Sequence, residues 1–101
     1  MKIFILSAML SSAVAAPPPE PARQQALRNL LKHDCGACHG LTLKGGLGPG
    51  LRPADLADKS NEFLTATILR GRPGTAMPPW NRFIDKSEAA WLVEILKNPQ
   101  P

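Results

Sequence analysis

Five consecutive residues, Cys35-Gly36-Ala37-Cys38-His39, limit this chain more than any other stretch of it. Cysteines at i and i+3 of a helical turn lie on one side, and the next residue brings an imidazole alongside. This is the pattern at which a haem is attached by two thioether bonds. The thiols reach the two vinyl groups along one porphyrin edge, and His39 comes under the iron as an axial ligand. Gly36 and Ala37 keep the bulk between the thiols small.

Rival readings of the same residues are weaker. A dithiol–disulfide redox pair is expected after a strand in an αβ setting, whereas here an amphipathic helix precedes the motif. A zinc site would have to draw four ligands from His33, Cys35, Cys38 and His39, and a backbone does not readily wrap a tetrahedron that tightly. A disulfide between Cys35 and Cys38 would close a loop too small to stabilise much.

The chain of 101 residues has room for one domain, and part of that length is subtracted first. Met1-Lys2 is a short basic start, an apolar run over 3–14 is broken only by serines, and Ala13-Val14-Ala15 has the small-x-small form of a signal-peptidase site. A signal peptide over 1–15 with its cut after Ala15 is therefore expected, which places the mature protein in the periplasm. A dozen or so apolar residues fall short of the roughly 20 that a spanning helix requires. Pro17-Pro18-Pro19-Glu20-Pro21 favours extended polyproline geometry, so 16–21 reads as a tether and 22–101 as the folded domain. Such a small domain buries a marginal core by itself, and a haem would be its staple. The net charge of +4 becomes +3 once Lys2 leaves, with Lys and Arg scattered singly. That pattern argues against a nucleic-acid partner.

Ala26, Leu27, Leu30, Leu31 and Asp34 recur at helical spacing, predicting a helix over 22–33 with Pro21 beside its start. Five glycines and two prolines between Gly40 and Pro53 predict a loop of tight turns, with a short helical turn over 53–58. Ser60 is an N-cap for a second helix with Phe63, Leu64, Thr67 and Ile68 on one face, and Gly71 is its stop. A Pro/Gly-rich loop over 72–80 follows. The last helix starts near Asp85 or Ser87, with Asp85 and Glu88 at capping-box spacing and Ala89, Leu92, Ile95, Leu96 and Trp91 on its buried side. Asn98-Pro99 ends it. With no alternating strand pattern, the class is all-α.

The second iron ligand follows by elimination. Met1 and Met9 leave with the signal peptide, so Met77 is the only thioether of the mature chain, in a stiff loop about forty residues beyond the motif. A lone Met more often fills a core gap, but the Pro-Gly frame and the lack of a rival reverse that preference. His33 precedes the motif on the attachment side and reads as a surface histidine. The pair His39 and Met77 raises the reduction potential relative to bis-histidine ligation and leaves no open site for substrate, which describes an electron carrier and not an enzyme.

The sequence resembles the class I cytochrome c family over the whole mature domain, and within it the NirC-type monohaem cytochromes that accompany the haem d1-containing nitrite reductase of denitrification. The residues that carry this are Asp34-Cys35-Gly36-Ala37-Cys38-His39-Gly40, Gly45-Gly46-Leu47-Gly48-Pro49, Gly71-Arg72-Pro73-Gly74-Thr75, Met77-Pro78-Pro79-Trp80 and Trp91-Leu92-Val93. The resemblance implies three main helices and Gly/Pro-rich loops around one covalent haem c, with the first and last helices crossing. It implies that the Pro49 carbonyl accepts the Nδ1 proton of His39. The chain has no tyrosine and no lysine-rich ring around the motif, which leaves Trp80 or an arginine such as Arg52 to hold the haem propionates.

The expected activity is single-electron transfer by a monomer that meets its partner transiently, either the nitrite reductase or a haem d1 maturation protein. A docking patch around the haem edge is expected from Gly36, Ala37 and the loop 76–79, rimmed by Arg72 and Lys44. The alternatives are a gas-binding or sensing cytochrome with five-coordinate iron, and a weak peroxidase in which Met77 leaves the iron.

Overall fold

The computed structural model describes residues 18–40 and 42–99, so the expected signal peptide, its cut after Ala15 and the start of the tether lie outside the described residues. Helices account for the regular structure, and no strand occurs among the described residues. Helix α1 (Pro21–Leu30) starts one residue earlier than the apolar pattern predicts. Pro21 takes the first helical position, where its missing N–H costs nothing. The Gln24 side-chain amide donates to the Pro19 carbonyl at 2.8 Å and holds the end of the proline stretch against the helix.

This helix does not stop near His33. It widens into a π-turn at Leu31–Cys35, where the Gly36 N–H donates to the Leu31 carbonyl, and continues as α2 (Gly36–His39). The haem motif therefore forms the end of a helix instead of following one. Gly40, at φ +90, ends it in a conformation that only glycine adopts freely. Ala26, expected on the apolar side, is exposed, while Leu27 is buried.

The remaining helices start where local chemistry demands. Helix α3 (Pro53–Leu56) opens with Asp55 accepting the Arg52 N–H at 3.0 Å. At the head of α4 (Asn61–Arg70), Ser60 Oγ accepts the Phe63 N–H at 3.0 Å, and Gly71 at φ +69 stops it. Helix α5 (Lys86–Lys97) carries the full capping box. The Glu88 N–H donates to Asp85 at 2.8 Å and the Asp85 N–H donates to Glu88 at 3.0 Å.

Leu27 from α1 is buried in one cluster with Ile84, Ala89 and Leu92, so the first and last helices pack together. Arg23 pairs with Glu88 and donates to the Phe83 carbonyl at 2.9 Å, and the Arg28 guanidinium lies 5.3 Å from the Trp91 ring centre. Val93 is fully buried although the pattern left it off the apolar face, whereas Trp91 and Ile95 are only half-buried. Two sides of α5 are covered, one by α1 and one by the cleft described below. Among the described residues, no helix is long and apolar enough to cross a membrane.

Candidate haem-binding site

A cleft of about 490 Å³ takes its apolar walls from Leu31 of the π-turn, Leu64 and Ile68 of α4, and Leu92, Val93 and Leu96 of α5. Cys35, Cys38 and His39 line it, and so do Met77 and Trp80 from the loop after α4. The face of Phe63, Leu64, Thr67 and Ile68 that periodicity marked for burial turns to this cleft, with Phe63 still 52% exposed. His33 is exposed and does not reach it.

The loop after α2 is laced back onto the motif by its backbone. The Gly45 N–H donates to the His39 carbonyl at 2.9 Å and the Gly48 N–H to the Cys38 carbonyl at 2.8 Å. That lacing puts the Pro49 carbonyl 2.7 Å from His39 Nδ1. A proline carbonyl can only accept, so Nδ1 carries the ring proton and Nε2 is left as an electron-pair donor, the tautomer a metal requires. Gly48 lies flat against the imidazole: a Cβ there would stand 2.7 Å from both Nδ1 and Cε1. Sequence reasoning noted Gly48 only as part of a motif, because nothing local to it announces the contact.

Met77 sits in a loop fastened to α4, with the Trp80 N–H donating to the Ile68 carbonyl at 3.0 Å and the Asn81 N–H to Leu69 at 3.3 Å. Gly71 passes so close beneath it that a Cβ would lie 2.7 Å from the Met77 carbonyl oxygen.

Both thiols are free of any disulfide. Burial, helped by the charge of Asp34, pushes the Cys35 thiol up to about 11, so it is protonated near neutral pH. A dithiol redox centre needs the opposite shift, because the thiolate is its nucleophile.

Arg52 does not face the cleft. Its guanidinium is taken by Asp55, with Nε donating at 3.0 Å, and it lines a separate, smaller hollow beside Leu43 and Leu51. Of the two alternatives for the propionates, Trp80 lines the cleft and Arg52 does not; the cationic side chains lining it are Lys59 and Arg72. Gly36 is buried and drops out of the expected docking patch, while Ala37, Ala76, Pro78 and Pro79 are exposed. Leu47, 88% exposed, also lines the cleft and was not singled out from the sequence. Paired thiols, a histidine with its acceptor nitrogen free, a thioether and apolar walls thus share one cleft, and this donor set fits a covalently held haem.

Residues 22–95 match the family model described as cytochrome C oxidase, cbb3-type, subunit III. A cytochrome c55X of Pseudomonas aeruginosa is 54% identical over 78 residues, which cover 77% of this chain and 66% of that protein. The solved c-type cytochrome NirC is 51% identical, with a TM-score of 0.79 over 81% of this chain and 96% of that one. A solved dihydro-heme d1 dehydrogenase, NirN in complex with DHE, is 35% identical with a TM-score of 0.66, over 73% of this chain but 16% of that one. With most of its length matched by the family and a NirC structure covered nearly end to end, this chain belongs to the cytochrome c family, among the NirC-type monohaem cytochromes, and holds one haem c and its iron through Cys35 and Cys38.

Proposed function

We propose that this chain is an exported, periplasmic single-electron carrier in which His39 and Met77 ligate the iron, and that its redox partner handles haem d1. The observation that carries the reading is the 2.7 Å bond from His39 Nδ1 to Pro49, made in the same cleft that Met77 lines. When bound, the haem supplies a one-electron Fe(III)/Fe(II) couple. The chain's own residues do the rest. Pro49 holds the imidazole in one tautomer, the loop after α4 carries the thioether into the cleft, and Leu64, Ile68, Leu92 and Val93 line it with apolar walls that would keep water from a haem bound there. With both His39 and Met77 bound, the iron would have no free position for substrate, and the presence of the two side chains in one cleft supports a carrier over a five-coordinate gas sensor.

The similarity to part of a dihydro-heme d1 dehydrogenase supports a partner in haem d1 chemistry, either the nitrite reductase or the maturation of its haem d1. A dehydrogenation releases two electrons, which a monohaem protein accepts one at a time. A transient carrier needs a small interface, under roughly 1,200 Å², and the exposed Ala37, Ala76, Pro78 and Pro79 provide its apolar centre.

The test is to purify the mature protein, reduce it, and mix it with haem d1 nitrite reductase and nitrite. Rapid reoxidation of the cytochrome is the expected result, slowing only mildly as salt is raised because the charge is low and dispersed. Absence of reoxidation removes the direct-donor role and leaves haem d1 maturation. A steep salt dependence would reveal a charged docking face in place of the apolar one.

A further inference from the structure

The stretch Gly71-Arg72-Pro73-Gly74-Thr75 forms the frame of the loop that ends at Met77. Pro73 and Gly74 occupy the two central positions of a turn in which the Thr75 N–H donates to the Arg72 carbonyl at 3.1 Å. Gly74 takes φ +79, the value that a type II turn requires at its third residue. The Thr75 hydroxyl then does two things. It donates to the Arg72 carbonyl at 2.6 Å and accepts the Met77 N–H at 3.3 Å. The ring is closed by the Arg72 N–H, which donates to the Met77 carbonyl at 3.1 Å. Both peptide groups of Met77 are thus held by Arg72 and Thr75, and one side-chain oxygen joins the two halves of the loop.

We infer that Thr75 is a positioning residue for the iron's thioether ligand: its hydroxyl fixes the Met77 backbone so that the sulfur is delivered to the cleft that His39 lines. The inference rests on the reading of Met77 as sixth ligand. Without the hydroxyl, the Met77 N–H loses its acceptor inside the loop and the Arg72 carbonyl loses its shortest donor. Gly71 cannot take up the slack, because its own backbone already lies against residues 77–79. Removal of the hydroxyl therefore raises the fraction of molecules with the sulfur off the iron.

Added imidazole competes with Met77 for the oxidised iron, so its apparent affinity reports that fraction. In the oxidised holoprotein, Thr75→Val should bind imidazole roughly tenfold more tightly than the wild type, the size of one net hydrogen bond. Thr75→Ser, which keeps the hydroxyl, should stay near the wild-type value, and Met77→Ala should bind most tightly of all. A Thr75→Val protein with unchanged imidazole affinity overturns the inference while leaving Met77 as ligand. So does a Thr75→Ser protein as loose as Thr75→Val, since the hydroxyl would then not be the agent. A wild-type protein that lacks the weak far-red band of sulfur–iron(III) bonding, and that Met77→Ala leaves unaltered, overturns the ligand reading and the inference with it.

Discussion

The two sides of the cleft are built by different means. On the His39 side the proposed ligand ends a continuous helical stretch, and the following loop is bound to that helix by two backbone bonds and to the imidazole by a third. On the Met77 side no helix carries the proposed ligand: it sits in a mostly exposed loop that is bound to α4 by two backbone bonds beyond Met77 and is closed around Met77 by one turn, one backbone bond and one hydroxyl. Helix-borne groups move only when tertiary packing moves, whereas a loop of this kind opens at far lower free energy. The histidine side is thus the fixed half of the site. The methionine side is the half whose occupancy a single substitution can change.

The largest effects test the fixed half. Cys35→Ala or Cys38→Ala should weaken or abolish the haem signal that survives denaturing gel electrophoresis, and the apoprotein should be poorly folded by circular dichroism because the haem is the core's staple. Wild-type protein that loses all its haem under denaturation would refute covalent attachment. Next in size is Met77→Ala. It should remove the far-red band, let the reduced protein bind carbon monoxide, and lower the reduction potential by on the order of 100 mV, a fraction of the roughly 0.8 V that axial ligands span. Carbon monoxide binding by the wild type at the same rate would erase the contrast between the two sides and favour the gas sensor.

Where a structural choice is made by neighbours in sequence, the sequence shows it. Ser60 bonds to a residue three ahead, Asp85 and Glu88 cap each other, and Gly71 stops α4, so both helices were legible. The cysteines, His39 and Met77 stood out in the sequence because few other side chains carry their chemistry, and the structure brings all four to one cleft. The π-turn was not, since five residues of altered pitch leave no mark in an apolar period. Val93 was missed because a helical-wheel reading assumes one buried face and α5 has two. Arg52 was one candidate for the propionates, but its guanidinium pairs with Asp55 three residues on and Arg52 does not line the cleft. The contact of Gly48 with the His39 ring depends on the whole course of the loop and is visible only once that loop is closed.

Two glycines sharpen the comparison. At Gly48 an added methyl would stand 2.7 Å from the imidazole, so Gly48→Ala has to push His39 or the loop, at about 1–3 kcal/mol. At Gly74 a Cβ meets nothing within 4 Å, and the only cost of Gly74→Ala is its φ of +79, about 1 kcal/mol. Both variants should unfold at lower temperature, the first more so. Gly48→Ala should shift the reduction potential more, since it presses on the His39 ring itself, whereas Gly74→Ala strains only the turn that precedes Met77. Equal potentials in the two variants would mean that the loop absorbs the methyl and that the histidine side is less rigid than its bonds imply.

The smallest effect concerns a contact remote from both ligands. Arg23 on α1 pairs with Glu88 on α5, and neither residue lines the cleft. The hydrogen bond from Arg23 holds the Glu88 carboxyl below its ordinary value of 4.5, with the Asp85 N–H adding to the shift and burial opposing it. A carboxylate whose folded value is depressed binds fewer protons when native. Its contribution to stability is therefore complete above pH 4.5 and is lost as pH falls through the lowered folded value. Arg23→Ala removes the main cause of that shift, so the holoprotein should unfold at a slightly lower temperature at pH 7. The gap to wild type should narrow toward pH 3, where Glu88 is increasingly protonated in both proteins. Because the capping box survives the substitution, α5 keeps its start and some pH dependence persists. The far-red band and the imidazole affinity should not move at neutral pH, since the pair touches neither the histidine loop nor the methionine loop. A constant gap from pH 7 to pH 3 would show that Arg23 contributes through packing and not charge, and a change in imidazole affinity would show that the α1–α5 contact reaches the methionine side.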